Sequence, residues 1–185
     1  MKIAIISDVH ENLHNLILAL REIEEKNAEQ IIFLGDFINN GIAMFLANSS
    51  IPVFAVWGNN DGNKVAITKT SLTDKSNLTI SNNIYDFLEF DGRKIFITHF
   101  HDIVDSIAKS GDFDAVFYGH DHVKNKHIVG DCLVVNPGEI SASKTGEASY
   151  AIYDTEKNDV EFFEVKDHVT LRTDIIEDYH KKTIN

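Results

Sequence analysis

Five times along this chain a short apolar run breaks off into a polar loop carrying His, Asp or Asn, and that repetition restricts the fold more than any other feature. Ile3 to Ile6 is a continuous apolar run of the length of a buried strand. Leu13, Leu16, Ile17, Leu20 and Ile23 follow at one-face spacing, with Arg21, Glu22, Glu24, Glu25 and Lys26 largely opposite, which predicts a helix over about 12–27. The pattern recurs as a strand Ile31 to Leu34, an apolar stretch Ile42 to Ala47 and a third strand Val53 to Trp57. Strands alternating with helical patterns in this way imply a parallel sheet.

The second half reads differently. After a polar connection over roughly 62–83, Tyr85 to Phe90 and Lys94 to Thr98 flank Asp91-Gly92, a two-residue hairpin signal because both central positions of such a turn need positive φ. A helix over 102–110, a strand Ala115 to Tyr118 and short strands near 126–129, 132–135, 149–153 and 160–165 complete the order. The fold class is α/β, and the simplest architecture is two packed mixed sheets with helices outside. With only two prolines, no internal repeat and no low-complexity tract, no linker divides the chain. The expected domain runs over 1–165, followed by an extension over 166–185 in which Ile175, Ile176 and Tyr179 fall at helical spacing.

Charge and composition exclude some functions. A formal net charge of -12 opposes a surface built for non-specific nucleic-acid binding, which needs clustered Lys and Arg. It does not oppose a phosphate ester at a site where divalent cations overcompensate the carboxylates. The single cysteine, Cys132, forbids an intrachain disulfide and a Cys-rich zinc site. The run Ile3–Ile6 is too short for a signal-peptide core or a membrane span, so a cytoplasmic protein without membrane association is expected.

The residues that carry chemistry sit just past strand ends. Asp8 and His10 follow the first strand, Asp36 the second and Asn59 the third; His99 follows the second strand of the hairpin, and His120 and His122 follow the strand ending at Tyr118. Ligand sites of open α/β sheets gather at the carboxyl ends of strands, so groups spread over more than a hundred residues could converge. Taken singly each motif has a bland reading. Asp-x-His, Gly-Asp and Gly-Asn-Asn-Asp are ordinary turn and cap sequences; Gly119-His120-Asp121-His122 is the stronger signal, because two imidazoles two residues apart at a strand end can both point into a cleft.

As an ordered set, Asp8-x-His10, Gly35-Asp36, Gly58-Asn59-Asn60-Asp61, His99 and Gly119-His120-x-His122, with Asn136-Pro137-Gly138 beyond, resembles the calcineurin-like metallophosphoesterase superfamily. Within it, the likeness is to the small single-domain metal-dependent phosphodiesterases of bacteria and archaea. The resemblance implies a four-layer αββα sandwich and a di-metal centre at one edge of the sheets. It implies that Asp8, His10, Asp36 and His122 hold one ion, that Asp36, Asn59, His99 and His120 hold the other, and that Asp36 bridges. Imidazole, amide and carboxylate donors suit two borderline divalent ions, Mn²⁺ first, with Ni²⁺, Fe²⁺ or Zn²⁺ as alternatives. Two such ions about 3.5–4 Å apart acidify a shared water and clamp phosphoryl oxygens, so hydroxide attacks phosphorus without a protein nucleophile. Asn59 and His99 would help stabilise the charge that develops.

Asn60 separates substrate classes. Many relatives carry a histidine there that protonates the leaving oxygen, whereas an amide has no proton to give. A small phosphodiester is therefore the expected substrate, with Asn60 orienting it or completing the turn. Phosphatase or nucleotidase action on small monoesters is the alternative, and a non-catalytic scaffold, the role a retromer subunit of this fold plays, is a third. Homo-oligomer formation is left open. Two departures stand out: His99-Phe100-His101 replaces the usual His-Gly-His, placing a ring beside a ligand, and Asp121 stands where threonine is frequent. His101 is read evenly as a ligand support or substrate contact and as a surface residue. Asp61 is read as a loop-stabilising acceptor, and His14, His127, His168 and His180 as structural or exposed.

Overall fold

The computed structural model describes residues 1–170. Eleven strands and four helices alternate in the order β1 (Lys2–Ile6), α1 (Leu13–Glu25), β2 (Gln30–Phe33), α2 (Asn40–Ala47), β3 (Val53–Ala55), α3 (Lys64–Ser71), β4 (Leu78–Ile80), β5 (Tyr85–Phe90), β6 (Arg93–Thr98), α4 (Val104–Ala108), β7 (Ala115–Phe117), β8 (Asn125–Val129), β9 (Cys132–Asn136), β10 (Ser149–Asp154) and β11 (Asp159–Glu164). They form a six-stranded sheet in the order β11-β10-β1-β2-β3-β4 and a five-stranded sheet in the order β5-β6-β7-β9-β8. Both sheets are mixed: β1, β2, β3 and β4 run parallel, as do β6, β7 and β9, while β10, β11, β5 and β8 pair antiparallel.

The continuous apolar runs reflect strands buried on both faces. On β1, Ala4 and Ile6 face one way and pack with Leu16, Ala19 and Ile23 of α1 and with Ile42 and Leu46 of α2. Ile3 and Ile5 face the other way, against Ile95 and Ile97 of β6, Phe117 of β7 and Leu133 of β9. The outer face of the second sheet, Phe96, Val116 and Val134, is covered by Val104 and Ala108 of α4. The result is the four-layer αββα sandwich. Each fully buried Ile or Leu contributes roughly 1.5–3 kcal/mol relative to exposure, so the alternate residues of the central strands carry much of the fold's stability.

Local chemistry sets the boundaries. Asn12 caps α1 by accepting the Asn15 N–H, and Asn39 caps α2 by accepting from Gly41 and Ile42. Asp91 (φ 50°) and Gly92 (φ 75°) turn the β5–β6 hairpin with both central residues at positive φ, as the turn requires. The stretch over 62–83, expected only as a polar connection, contains two elements. It holds α3, capped by Asn63, and β4, which extends the parallel sheet by pairing Leu78 with Val53. Only Ile67 of α3 is buried, too thin a stripe for periodicity to announce a helix. The helix expected over 102–110 is a five-residue turn of α4.

Beyond β11, Val169 is held against the start of α1. Its N–H donates to Asn15 Oδ1 (2.8 Å), and its carbonyl accepts from the Asn12 and Asn15 amides (3.0 Å each). The expected helical spacing of Ile175, Ile176 and Tyr179, and His180, lie outside the described residues. Among the described residues no helix is long and apolar enough to cross a membrane.

Candidate metal centre

The carboxyl ends of the parallel strands of both sheets meet at one edge, and the seven candidate ligand residues, Asp8, His10, Asp36, Asn59, His99, His120 and His122, gather there. Main-chain bonds tie neighbouring loops together within each sheet and, through Ile140 and Ser141, from one sheet to the other. Leu34 N–H donates to Ile6 O (3.0 Å), Gly119 N–H to His99 O (3.1 Å), and Ile140 and Ser141 N–H to Ser7 and Asp8 carbonyls (3.0 Å each). The loop backbone is unusual. Asp8, His10, Asp36, His120 and His122 all have positive φ, between 41° and 77°. Such conformations cost roughly 1–3 kcal/mol each and persist where the surroundings over-determine them.

Asp8 is fully buried. Its Oδ2 accepts from Ser7 Oγ (2.6 Å) and from His120 N–H (3.0 Å), which leaves Oδ1 facing His122 Nε2 at 3.4 Å and His10 Nε2 at 3.6 Å. Asp36 accepts from Asn60 twice, N–H to Oδ1 and Nδ2 to Oδ2, both at 2.8 Å. The same carboxylate stands 3.1 Å from His10 Nε2 and 3.6 Å from His99 Nε2, so it lies between two groups of imidazoles. The second group is His99 and His120, whose Nε2 and Nδ1 are 3.2 Å apart, with Asn59 Oδ1 2.8 Å from each.

The donor chemistry fits cations. His99 Nδ1 donates to Leu34 O (2.8 Å) and His122 Nδ1 donates to Glu139 Oε2 (2.7 Å), so the Nε2 atoms of both rings turn lone pairs inward. They meet the carboxylate and amide oxygens of Asp8, Asp36 and Asn59, acceptors facing acceptors. Asp8 Oδ1 and His10 Nε2 are buried without a hydrogen-bond partner. Unpaired buried polar atoms are costly, and a cation is what such a convergence of lone pairs satisfies. The ligand atoms of Asp8, His10 and His122 lie within 4.8 Å of one another, and so do those of Asp8, Asp36 and His99.

Electrostatics tell the same story. Burial alone would lower the His10 pKa, but the carboxylates of Asp36 and Asp8 beside the ring outweigh it and raise it to about 9. Burial alone would raise Asp36, yet the neighbouring His10 ring, the His99 ring and the two Asn60 donations hold it well below the usual carboxylate range. Asp8 is lowered by the same balance, with His10 opposing burial. The site thus keeps its carboxylates ionised and, without a metal, draws a proton onto His10.

Supporting residues complete the picture. Asp61 accepts from Phe37 N–H (2.6 Å) and Gly58 N–H (2.5 Å), tying the Asp36 loop to the Asn59 loop, the acceptor role expected of it. Gly58 leaves no room for a Cβ, which would meet Asp36 Oδ1 and the Asp36 backbone N. Asp121 does not orient an imidazole: its Oδ1 accepts from Val123 N–H and from Asn136 Nδ2, so it shapes the turn. His101 is exposed, paired with Asp102 at 3.2 Å and stacked on the His120 ring at 5.2 Å, and Phe100 meets the His99 ring edge-on. His14 is exposed, and His127 pairs with Asp105 at the surface. Sequence reading missed Ser7 and Glu139. The only signal for Glu139 was an acid set directly after Asn136-Pro137-Gly138 in an otherwise apolar, buried stretch.

Comparison with known proteins agrees with this geometry. Residues 1–158 match the model of the calcineurin-like phosphoesterase superfamily domain. Phosphodiesterase MJ0936 of Methanocaldococcus jannaschii is 38% identical over 163 residues, spanning 86% of this chain and 96% of that protein. The solved structure of an archaeal phosphodiesterase superposes with a TM-score of 0.81 at 35% identity, covering 89% of this chain and 99% of the other. The structure of YfcE, a phosphoesterase from E. coli, shares the fold with a TM-score of 0.66 at 21% identity, covering 90% and 100% of the two chains. The chain therefore belongs to the calcineurin-like phosphoesterase superfamily, a family of metal-dependent hydrolases.

Proposed function

We propose that this protein hydrolyses small phosphodiesters with the help of two divalent metal ions, Mn²⁺ before Ni²⁺, Fe²⁺ or Zn²⁺, held by Asp8, His10, Asp36 and His122 on one side and Asp36, Asn59, His99 and His120 on the other. The observation that carries this reading is the convergence of lone pairs from those residues at the strand ends, with Asp8 Oδ1 and His10 Nε2 left without partners. When bound, such ions supply Lewis acidity that readies a water and neutralises the phosphoryl oxygens. The chain's own contribution is to hold the donors. Asn60 fixes both oxygens of Asp36, Ser7 and the His120 amide fix one oxygen of Asp8, and Asp61 fixes the two loops to each other.

The leaving group decides the substrate class. Asn60 donates to Asp36 and carries no ionisable proton, so nothing at its position protonates a departing alkoxide. That favours diesters and esters with acidic leaving groups over alkyl monoesters. The net charge of -12 supports a small substrate rather than a nucleic-acid polymer. The test is turnover by Mn²⁺-reconstituted protein of an aryl diester, an aryl monoester and an alkyl monoester. Diester turnover well above alkyl-monoester turnover is expected. Comparable rates on the alkyl monoester would overturn the substrate assignment, and no hydrolysis with any metal would favour the scaffold role.

A further inference from the structure

The two halves of the cluster differ in what stands behind their ligand atoms. His122 is backed by a full charge: Glu139 Oε2 accepts from its Nδ1 at 2.7 Å, and both residues are buried. His99 is backed only by the neutral Leu34 carbonyl. His120 turns Nδ1 itself toward Asn59, and among the described residues no carboxylate accepts from the other nitrogen of its ring.

Glu139 is held as few carboxylates are. Oε1 accepts from Lys144 N–H (2.9 Å), Thr145 N–H (2.7 Å) and Thr145 Oγ1 (2.8 Å); Oε2 accepts from Ser143 N–H (3.1 Å), Ser143 Oγ (3.0 Å) and Ser141 Oγ, besides His122. Six donations from residues 141–145 and one from His122 hold the carboxylate of Glu139 in place. The residues that follow it run along the Asp8 loop through Ile140 N–H to Ser7 O and Ser141 N–H to Asp8 O. One rigid segment therefore registers the Glu139 carboxylate, the His122 ring and Asp8 against one another. A carboxylate in this position keeps the imidazole proton on Nδ1, aims the Nε2 lone pair and raises the basicity of the ring.

Resting on the metal-centre reading above, we propose that Glu139 is a positioning residue that fixes His122 for a cation and makes the Asp8–His10–His122 half the tighter of the two metal sites. Glutamine at this position has the same shape, but its NH₂ can donate to His122 Nδ1 and so select the opposite tautomer, whose Nε2–H cannot bind metal.

The experiment is a calorimetric Mn²⁺ titration of metal-stripped wild-type, Glu139→Gln, Glu139→Asp and Thr145→Val proteins, with long-range ¹H–¹⁵N spectra of the metal-free forms to read the His122 tautomer. Wild type should bind two ions in unequal steps, with the His122 proton on Nδ1. Glu139→Gln should weaken the first step by about 10–100-fold, leave the second unchanged and move the proton off Nδ1. Glu139→Asp keeps the charge and should recover part of the loss. It also carries the comparison if the glutamine variant does not fold. Thr145→Val removes one of the loop bonds to Oε1, leaves the charge and the His122 bond in place, and should weaken the first step far less than Glu139→Gln does. Equal weakening of both steps, or the same loss in Thr145→Val, would show a purely structural role and overturn the proposal. An unchanged first step in Glu139→Gln overturns it while the metal centre stands, and no Mn²⁺ binding to wild type overturns both.

Discussion

Replacing Asp36 by Asn probes the one carboxylate that both halves of the cluster share. The side chain is 1% exposed, takes two hydrogen bonds from Asn60 and stands 3.1 Å from His10 Nε2 and 3.6 Å from His99 Nε2. An amide keeps the shape but makes one oxygen a donor: facing the Asn60 side chain it forces that amide to turn over, and facing the Asn60 N–H it creates a buried donor–donor conflict. That costs about 1–3 kcal/mol, or roughly 2–12 °C in Tm for a domain of this size. The lost charge matters more for metal. A unit charge about 4 Å from a cation amounts to about 4 kcal/mol per cationic charge at an effective dielectric of 20, on the order of a thousandfold in affinity. In the metal-free protein, His10 loses one of the two carboxylates that raise it to about 9, and its pKa should fall by about one unit or more toward 6.5. Mn²⁺ calorimetry and a His10 NMR titration on the same stripped sample measure both effects. Two Mn²⁺ bound with wild-type affinity, or a His10 pKa still near 9, would refute the assignment of Asp36 as the shared group.

Gly58→Ala should cost about 1–3 kcal/mol and weaken Mn²⁺ binding together, because the new Cβ meets the Asp36 backbone as well as its carboxylate; a denaturant melt and a metal titration read the two losses. Asp61→Ala strips the partners from the buried Gly58 and Phe37 N–H groups and should cost about 2–6 kcal/mol, measured by urea unfolding. The pH dependence has a definite sign. Since His10 is raised in the folded, metal-free state, its contribution to stability is complete below pH 6.5 and is lost as pH rises through about 9. Mn²⁺ must displace that proton, so affinity should climb about tenfold per unit up to about pH 9 and then level off; a flat profile between pH 7 and 9 would contradict it. Asn60→His should raise alkyl-monoester turnover relative to diester turnover, by supplying the proton that the amide lacks.

Much of the fold was legible because the central strands are buried on both faces. The runs Ile3–Ile6 and Ile31–Leu34 admit few readings once helical spacing stands between them, and Asp91-Gly92 fixes its hairpin by a backbone requirement that few residue pairs meet. α3 and β4 were not legible for the converse reason. Ile67 is the only buried residue of the helix, and β4 is a three-residue edge strand ordered by pairing with β3. The ligand residues stood out because each sits at a strand end, where polar residues break an apolar run. Glu139 did not, because its function depends on the His122 ring seventeen residues upstream and on a loop that folds back over it.

The sequence by itself determined the order of the strands and helices apart from α3 and β4, the two mixed sheets, and which polar residues stand at the carboxyl ends of the strands, since periodicity and turn chemistry are local properties. Only the tertiary structure decided that Asp36 lies between two groups of imidazoles and that Glu139 backs one of them and not the other. Those are distances between loops of different sheets, fixed by how the sheets pack, and no local pattern encodes them.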